Sequence, residues 1–400
     1  MNKRKVSDIS KNIVTYIFSS FGLIILISIM AYVFINGSKN LSWELLTSDY
    51  ESVTYNVKRD DEGNFNIGGY TYEVKENEYF SEKWGIALID SVNAEGNDIV
   101  EISHIDEKSP LNNLAITGSS EYFSAKKGLS IEKVILKNDG KMHIALAKNG
   151  AEKMVNTLDK GIIISDMILK TKGGGIRGSI ITTLLLIVTT LVVSLPLGVG
   201  AAIYLNEYAS KNKFTSFINQ MIDLIGGVPS IIFGFFGMFV FVPMCNGLFN
   251  TNGTSILSGA LTLSVMLLPT IIKTVEEALI IIPDNLRMAS LALGASKTQT
   301  IFKVILPNSI SGILTAVVLA IGRIIGESAS LIFALGTIIK DQVNINTNGT
   351  SLAVHIWVLM GGEKPNFDTS CAIAIVILLI VLFLNIIVKL FERKFVKYAK

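Results

Sequence analysis

Charge-free runs of membrane-crossing length alternate along this chain with charged, turn-rich stretches. A hydrocarbon layer about 30 Å thick takes ~20 helical residues. Residues 13–35 form one such run, preceded by Lys3, Arg4, Lys5 and Lys11. The run is too long for the apolar region of a secretory signal and lacks a small-residue cleavage site, so it reads as an uncleaved first helix. Residues 178–206 hold the second. No charge falls between Asp223 and Lys273, which leaves room for two helices with the turn-forming stretch 246–253 between them. The fourth helix continues past Lys273, Glu276 and Glu277 to Pro283. A fifth covers 309–339, interrupted by Arg323 and Glu327, and a sixth covers 369–388, closed by Lys389, Arg393 and Lys394. The pattern predicts six transmembrane helices.

Between the first two helices the pattern changes. Apolar and polar residues alternate in 69–74 and 142–147, as in strands with one face buried. Roughly 135 residues suffice for a small domain with its own core. A mixed α/β domain is expected over 36–172, with Lys172-Gly173-Gly174-Gly175 as a linker back to the membrane.

Composition supports this division. At 50% hydrophobic and 17% charged, the chain is too apolar for an ordinary soluble enzyme and too charged to lie wholly in a membrane. Residues 36–170 carry 22 acids against 15 bases, net −7; the rest carries 11 against 20, net +9, which restores the total of +2. The near-neutral total is thus a sum of opposites and identifies no partner; no nucleic acid is expected. Basic residues stay on the cytoplasmic side. The amino terminus, Lys211 and Lys213, then Arg287, Lys297 and Lys303, and the carboxyl tail share one face, whereas the third-to-fourth loop has no charge and the fifth-to-sixth has, of basic residues, only Lys340 and Lys364. The reading is a multi-pass protein of the cytoplasmic (inner) membrane with both termini cytoplasmic and the insert extracytoplasmic.

Cys245 and Cys371 are far apart and read as small buried hydrophobes, and His104 and His143 lack partners at ligand spacing, so no metal or other cofactor is expected. Gly140-Lys141 lacks the spacing of a P-loop. Any ATP is therefore hydrolysed by another chain, and this one is not expected to be an enzyme. Gly227, Pro229 and Gly234 read as packing or kink residues, with a substrate-lining broken helix as the alternative.

Two features carry candidate chemistry. In 285–307, helix formers run from Leu286 to Leu293, Gly294 permits a turn, and a second short helix ends at Pro307. Such a hairpin can dock in a partner's groove or rest on lipid headgroups. Arg323 and Glu327 lie in an apolar run, where a charge costs about 2.5–3.5 kcal/mol unless it faces a cavity or partner. Four residues apart, they can share one helix face. They read either as a structural ion pair or as a site in which Arg323 offers its planar fork to an oxyanion while Glu327 holds the guanidinium when the site is empty.

The hairpin resembles the EAA loop of ABC-importer permeases. Ala289, Gly294, Leu306 and Pro307 match at the family's spacing, with Val304 for Ile, Met288 in place of Glu and Ser290 in place of the second Ala. Across 174–400, the stretches 195–208, 226–234 and 321–328 resemble phosphate permeases of the PstA type, and 274–279 with 283–287 favour that type over its PstC sister. The resemblance implies an all-α polytopic membrane protein with the type I ABC-importer permease fold, carrying the extracytoplasmic mixed α/β insert. It implies a cytoplasmic tail (1–12), a first transmembrane helix (13–35), the insert (36–172) and a permease core (173–400) with coupling loop 284–307. Met288, Ala289, Ser290, Gly294, Leu306 and Pro307 would couple to the ATPase, and Arg323 and Glu327 would line the path. The implied partners are inorganic phosphate, a PstC-like sister permease in a heterodimer, two PstB-like ATPase subunits, a PstS-like phosphate-binding protein and membrane lipid. A permease for another oxyanion and a membrane sensor with a ligand-binding insert are the rival readings. The short cytoplasmic segments speak against the sensor, and a secondary transporter would leave the EAA-like loop unexplained.

Overall fold

The structure, a computed structural model, describes residues 3–59, 68–92, 97–117, 122–138, 140–210, 212–362 and 365–398. Lys211 and Lys364, used above for orientation, lie outside the described residues. The chain divides into two compact units, Met1–Ser42 with Gly178–Lys400, and Trp43–Arg177. The first unit opens with α1 (Lys3–Gly37), whose Lys11–Gly37 part is long and apolar enough to cross a membrane. Gly37 ends it against the backbone of Cys371 and Ala372, where a Cβ would lie 2.6 Å from the Cys371 carbonyl carbon.

The second unit begins with α2 (Trp43–Thr47). Its strands are β1 (Thr54–Lys58), β2 (Glu78–Ser81), β3 (Ile86–Val92), β4 (Asp98–Ile105), β5 (Leu114–Ile116), β6 (Tyr122–Phe123), β7 (Ser130–Asn138), β8 (Lys141–Leu146) and β9 (Ile163–Lys170). They form one antiparallel sheet in the order β2-β3-β4-β7-β9-β1-β5-β6, with β8 on β7. A helix of two turns, α3 (Ala151–Leu158), buries Met154, Val155 and Leu158 in the sheet's core beside Trp84, whose indole donates to the Leu158 carbonyl at 2.8 Å. The unit is thus β-dominated rather than evenly mixed, and the chain as a whole is not all-α.

The strand expected at 69–74 does not form. Gly68 and Gly69 take φ +117° and +83°, which turns the backbone out of strand geometry. Tyr72 stacks on His104 instead, ring centroids 4.1 Å apart. Nor are the glycines at 173–175 a loose linker. Gly174 and Gly175 donate to the Tyr50 and Asp49 carbonyls at 2.9 and 3.0 Å, and a Cβ on Gly175 would collide with the Ser48 carbonyl.

The chain then enters α4 (Arg177–Ile203), closes it with a π turn at Tyr204–Tyr208, and runs through the amphipathic α5 (Lys213–Gly226). After a break at Gly227-Val228-Pro229, α6 (Ser230–Phe236) and α7 (Val242–Phe249) join through a π turn into one apolar span. Gly234 lets this span close on Ser330, where a Cβ would sit 2.8 Å from Ser330 Cα, a packing role for that glycine. Next come α8 (Ile256–Ile280), α9 (Asp284–Ala292), then α10 (Lys297–Thr300) and α11 (Leu306–Asn308) joined by another π turn. The last helices are α12 (Ile310–Gly326), α13 (Ala329–Ala334), α14 (Leu352–Gly361) and α15 (Phe367–Tyr398).

Among the described residues, 5 helices are long and apolar enough to cross a membrane, and a sixth is reached only if Lys297–Asn308 and Ile310–Gly326, bent by 63°, count as one span. The continuous fifth helix expected over 309–339 is absent: helix α12 stops at Gly326 and the backbone of Glu327 is extended at ψ 127°. The core of the bundle forms around α8, the most buried span. Small hydroxyl residues let helices approach it and satisfy their own polar groups. Ser258 donates to the Ala334 carbonyl at 2.7 Å, and Thr190 and Ser264 bridge α4 to α8.

Candidate functional site

The hairpin begins where Pro283 caps α9 and ends in the kinked α10–α11 arm. Gly294 turns the chain at φ +85°, a conformation that suits glycine, and the amides of Leu293, Gly294 and Ala295 close the carbonyl end of α9. Ser296 and Gln299 then cap α10 reciprocally. Ser290 meets Thr300 across the two arms, hydroxyl to hydroxyl, at 2.9 Å. Met288 and Leu293 stand 69% and 89% exposed beside the exposed Ala289 and Leu291, so the tip presents unburied apolar surface. Leu306 is half-buried against the core of the bundle and Pro307 opens α11, so these two anchor the hairpin's root rather than its tip.

Arg287, read from sequence as an orientation charge and as part of the 283–287 resemblance, holds this root in place. Its guanidinium donates to the Leu279 and Ile282 carbonyls at the end of α8, at 3.0 and 2.8 Å, and to Glu207 at 2.8 Å. Cations stabilise the carbonyl end of a helix, and a carboxylate partner strengthens the bond. The sequence spacing gave no signal for Glu207, which lies 80 residues away on a different element.

Arg323 and Glu327 do not form the expected shared-face pair. Because α12 ends between them, their spacing of four no longer aligns them. Arg323, in the last turn of α12, donates to the Thr270 hydroxyl of α8 at 3.1 Å, and Glu327 accepts from the Ser330 amide at 3.1 Å, capping the start of α13. Both are half-buried, and among the described residues no carboxylate pairs with Arg323. Lys273, one turn from Thr270, is different: Asp223 neutralises it at 3.2 Å and Glu276 approaches at 3.7 Å. Arg323 is therefore a half-buried cation held by a neutral hydroxyl, with guanidinium donors left for an anion.

Apolar spans, an exposed helical hairpin and a half-buried cation between helices are the parts of a membrane transport permease. The chain belongs to the family of binding-protein-dependent transport system inner membrane components, whose profile matches residues 194–397. It is similar to the phosphate transport system permease protein PstA of Haemophilus influenzae, 32% identical over 222 residues that make up 54% of this chain and 76% of the relative. It is also similar to the probable ABC transporter permease protein YqgI of Bacillus subtilis, 36% identical over 46% of this chain and 66% of that one. The chain spans less than two thirds of the length of several relatives, 66% of YqgI and 32% of the PstA homolog of Mycoplasma pneumoniae. A solved inward-facing MetNI methionine ABC transporter aligns with a TM-score of 0.42 at 21% identity, over 56% of this chain and 95% of that one.

Proposed function

We propose that this chain is the permease subunit of an ATP-driven importer that moves inorganic phosphate inward, as half of a heterodimeric pore with a PstC-like sister. Two PstB-like ATPases would drive it, one seated on the tip formed by Met288, Ala289, Ser290 and Gly294, and a PstS-like binding protein would deliver the anion. Leu306 and Pro307 at the root carry the ATPase's motion into α12. The insert lies on the extracytoplasmic side and both termini on the cytoplasmic side.

One observation carries the choice of an anion: Arg323 stands half-buried between two apolar helices with a hydroxyl, and among the described residues not a carboxylate, as its partner. Desolvating an unpaired cation is costly, and an oxyanion that binds the guanidinium fork offsets that cost. Glu327, occupied by the α13 amide, shapes the loop at the end of this helix. Similarity to permeases named for phosphate transport supports phosphate among the oxyanions. The test is ATP-dependent uptake by proteoliposomes holding the chain with its sister permease, ATPase and binding protein. Unlabelled phosphate is expected to abolish uptake of labelled phosphate while equimolar sulfate and molybdate leave it intact. Preferential uptake of either of those anions would reassign the substrate.

A further inference from the structure

The π turn at Tyr204–Tyr208 grips both arms of the hairpin at once. Its fold is fixed by the Ala209 amide donating back to the Tyr204 carbonyl at 2.8 Å, a wide turn that re-aims the residues within it. Glu207 takes the first arm: its Oε1 accepts from Arg287 Nη2 at 2.8 Å and Nε at 3.3 Å, and Asn206 steadies the same oxygen at 3.1 Å. Tyr208 takes the second arm, its hydroxyl 3.1 Å from the Thr298 hydroxyl and its ring 5.2 Å from the Lys297 ammonium. The Glu207 and Arg287 side chains are only 9% and 19% exposed, so solvent screens the pair weakly.

Neither arm rests on the other alone. Among the described residues, the side-chain hydrogen bond that joins the two arms beside the Gly294 turn is Ser290–Thr300, and the end of α4 adds a hydrogen bond to each arm. We propose that Glu207 and Tyr208 form a latch that binds both arms of the hairpin to the end of α4, so that displacement of the tip moves α4 as one body with it. Glu207 and Tyr208 are positioning residues: they act through Arg287 on one arm and through Lys297 and Thr298 on the other. The inference rests on the hairpin being where the ATPase pushes, and it adds a second line of transmission, into α4, beside the direct one through α10–α11 into α12.

The test uses Glu207→Gln and Tyr208→Phe, near-isosteric changes, in the assembled proteoliposomes. Both variants are expected to bind ATPase as the parent does, while phosphate moved per ATP hydrolysed falls about tenfold for Glu207→Gln, the loss of one charge-assisted bond, and less for Tyr208→Phe. A merely structural role would lower the amount of complex or its melting temperature and leave phosphate per ATP intact, and that result overturns the latch. A second readout is independent of transport: spin labels on Leu293→Cys and Val188→Cys should give one narrow distance distribution in the parent and a broad one in Glu207→Gln. An unchanged distribution also overturns the latch. A parent that moves no phosphate refutes the proposed substrate, and the label distances still decide the latch.

Discussion

Gly294 and Arg323 act through opposite kinds of constraint, one of backbone and one of charge. Nothing lies within 4 Å of a Cβ built on Gly294, so a substitution there is disfavoured by φ +85° alone and not by crowding. For Ala in that conformation the cost is about 1–2 kcal/mol, whereas Asn tolerates it. Gly294→Ala is expected to weaken ATPase binding roughly five- to thirtyfold, because the docking conformation is less populated, and Gly294→Asn should stay near the parent. Titration of the purified permease with its ATPase measures this, and equal affinities for the Ala variant and the parent would contradict it. Gly294 was legible in the sequence because a helix pattern stops there. Arg323 was legible as a charge in an apolar run, but its partner was not. A spacing of four implies a shared face only on an unbroken helix, and α12 ends at Gly326, before Glu327. Arg287 was visible as a basic residue and within the 283–287 resemblance, but its partner was not, since no local pattern aligns 207 with 287 across the bundle.

At the scale of elements, the long apolar runs were read directly, because a charge-free stretch of twenty residues has few alternatives to a buried or spanning helix. The π turn within the α10–α11 arm, the 63° bend between that arm and α12, and the break after α12 were not, since apolar composition alone marks none of them. In the insert, the alternation of 142–147 falls on β8, which runs Lys141–Leu146, while that of 69–74 forms no strand and begins beside two glycines at positive φ. The glycines at 173–175 looked like a linker by composition, yet Gly175 lies against Ser48 with no room for a side chain. A flexible linker accepts alanine freely; a packed strap does not. Gly175→Ala is expected to destabilise the insert by about 1–3 kcal/mol, the usual cost of overpacking. Thermal unfolding of the purified chain, followed by Trp84 fluorescence, reads this out. An unchanged transition would restore the linker reading.

For the molecule as a whole, the proposed orientation makes opposite loops distinguishable. Asn346, exposed between α13 and α14, should be labelled from outside as Asn346→Cys, whereas Ser210→Cys and Ser296→Cys, exposed at the α4 turn and the hairpin, should label only after the cells are opened. Asn93, which the same reading sets outside, lies outside the described residues. Labelling of Ser296→Cys in sealed cells would invert the topology and remove the hairpin from the ATPase's side. The account's central claim, that the half-buried Arg323 carries phosphate through this permease, is tested most directly by Arg323→Gln. Since Glu327 is held by the Ser330 amide and not by Arg323, the change strands no carboxylate. Uptake of radiolabelled phosphate by proteoliposomes containing the complete complex is the measurement. Arg323→Gln is predicted to assemble with its partners yet take up phosphate at least about tenfold more slowly, the effect of losing a charge-assisted contact with the anion. Uptake at the parent rate by a fully assembled Arg323→Gln complex would contradict the account.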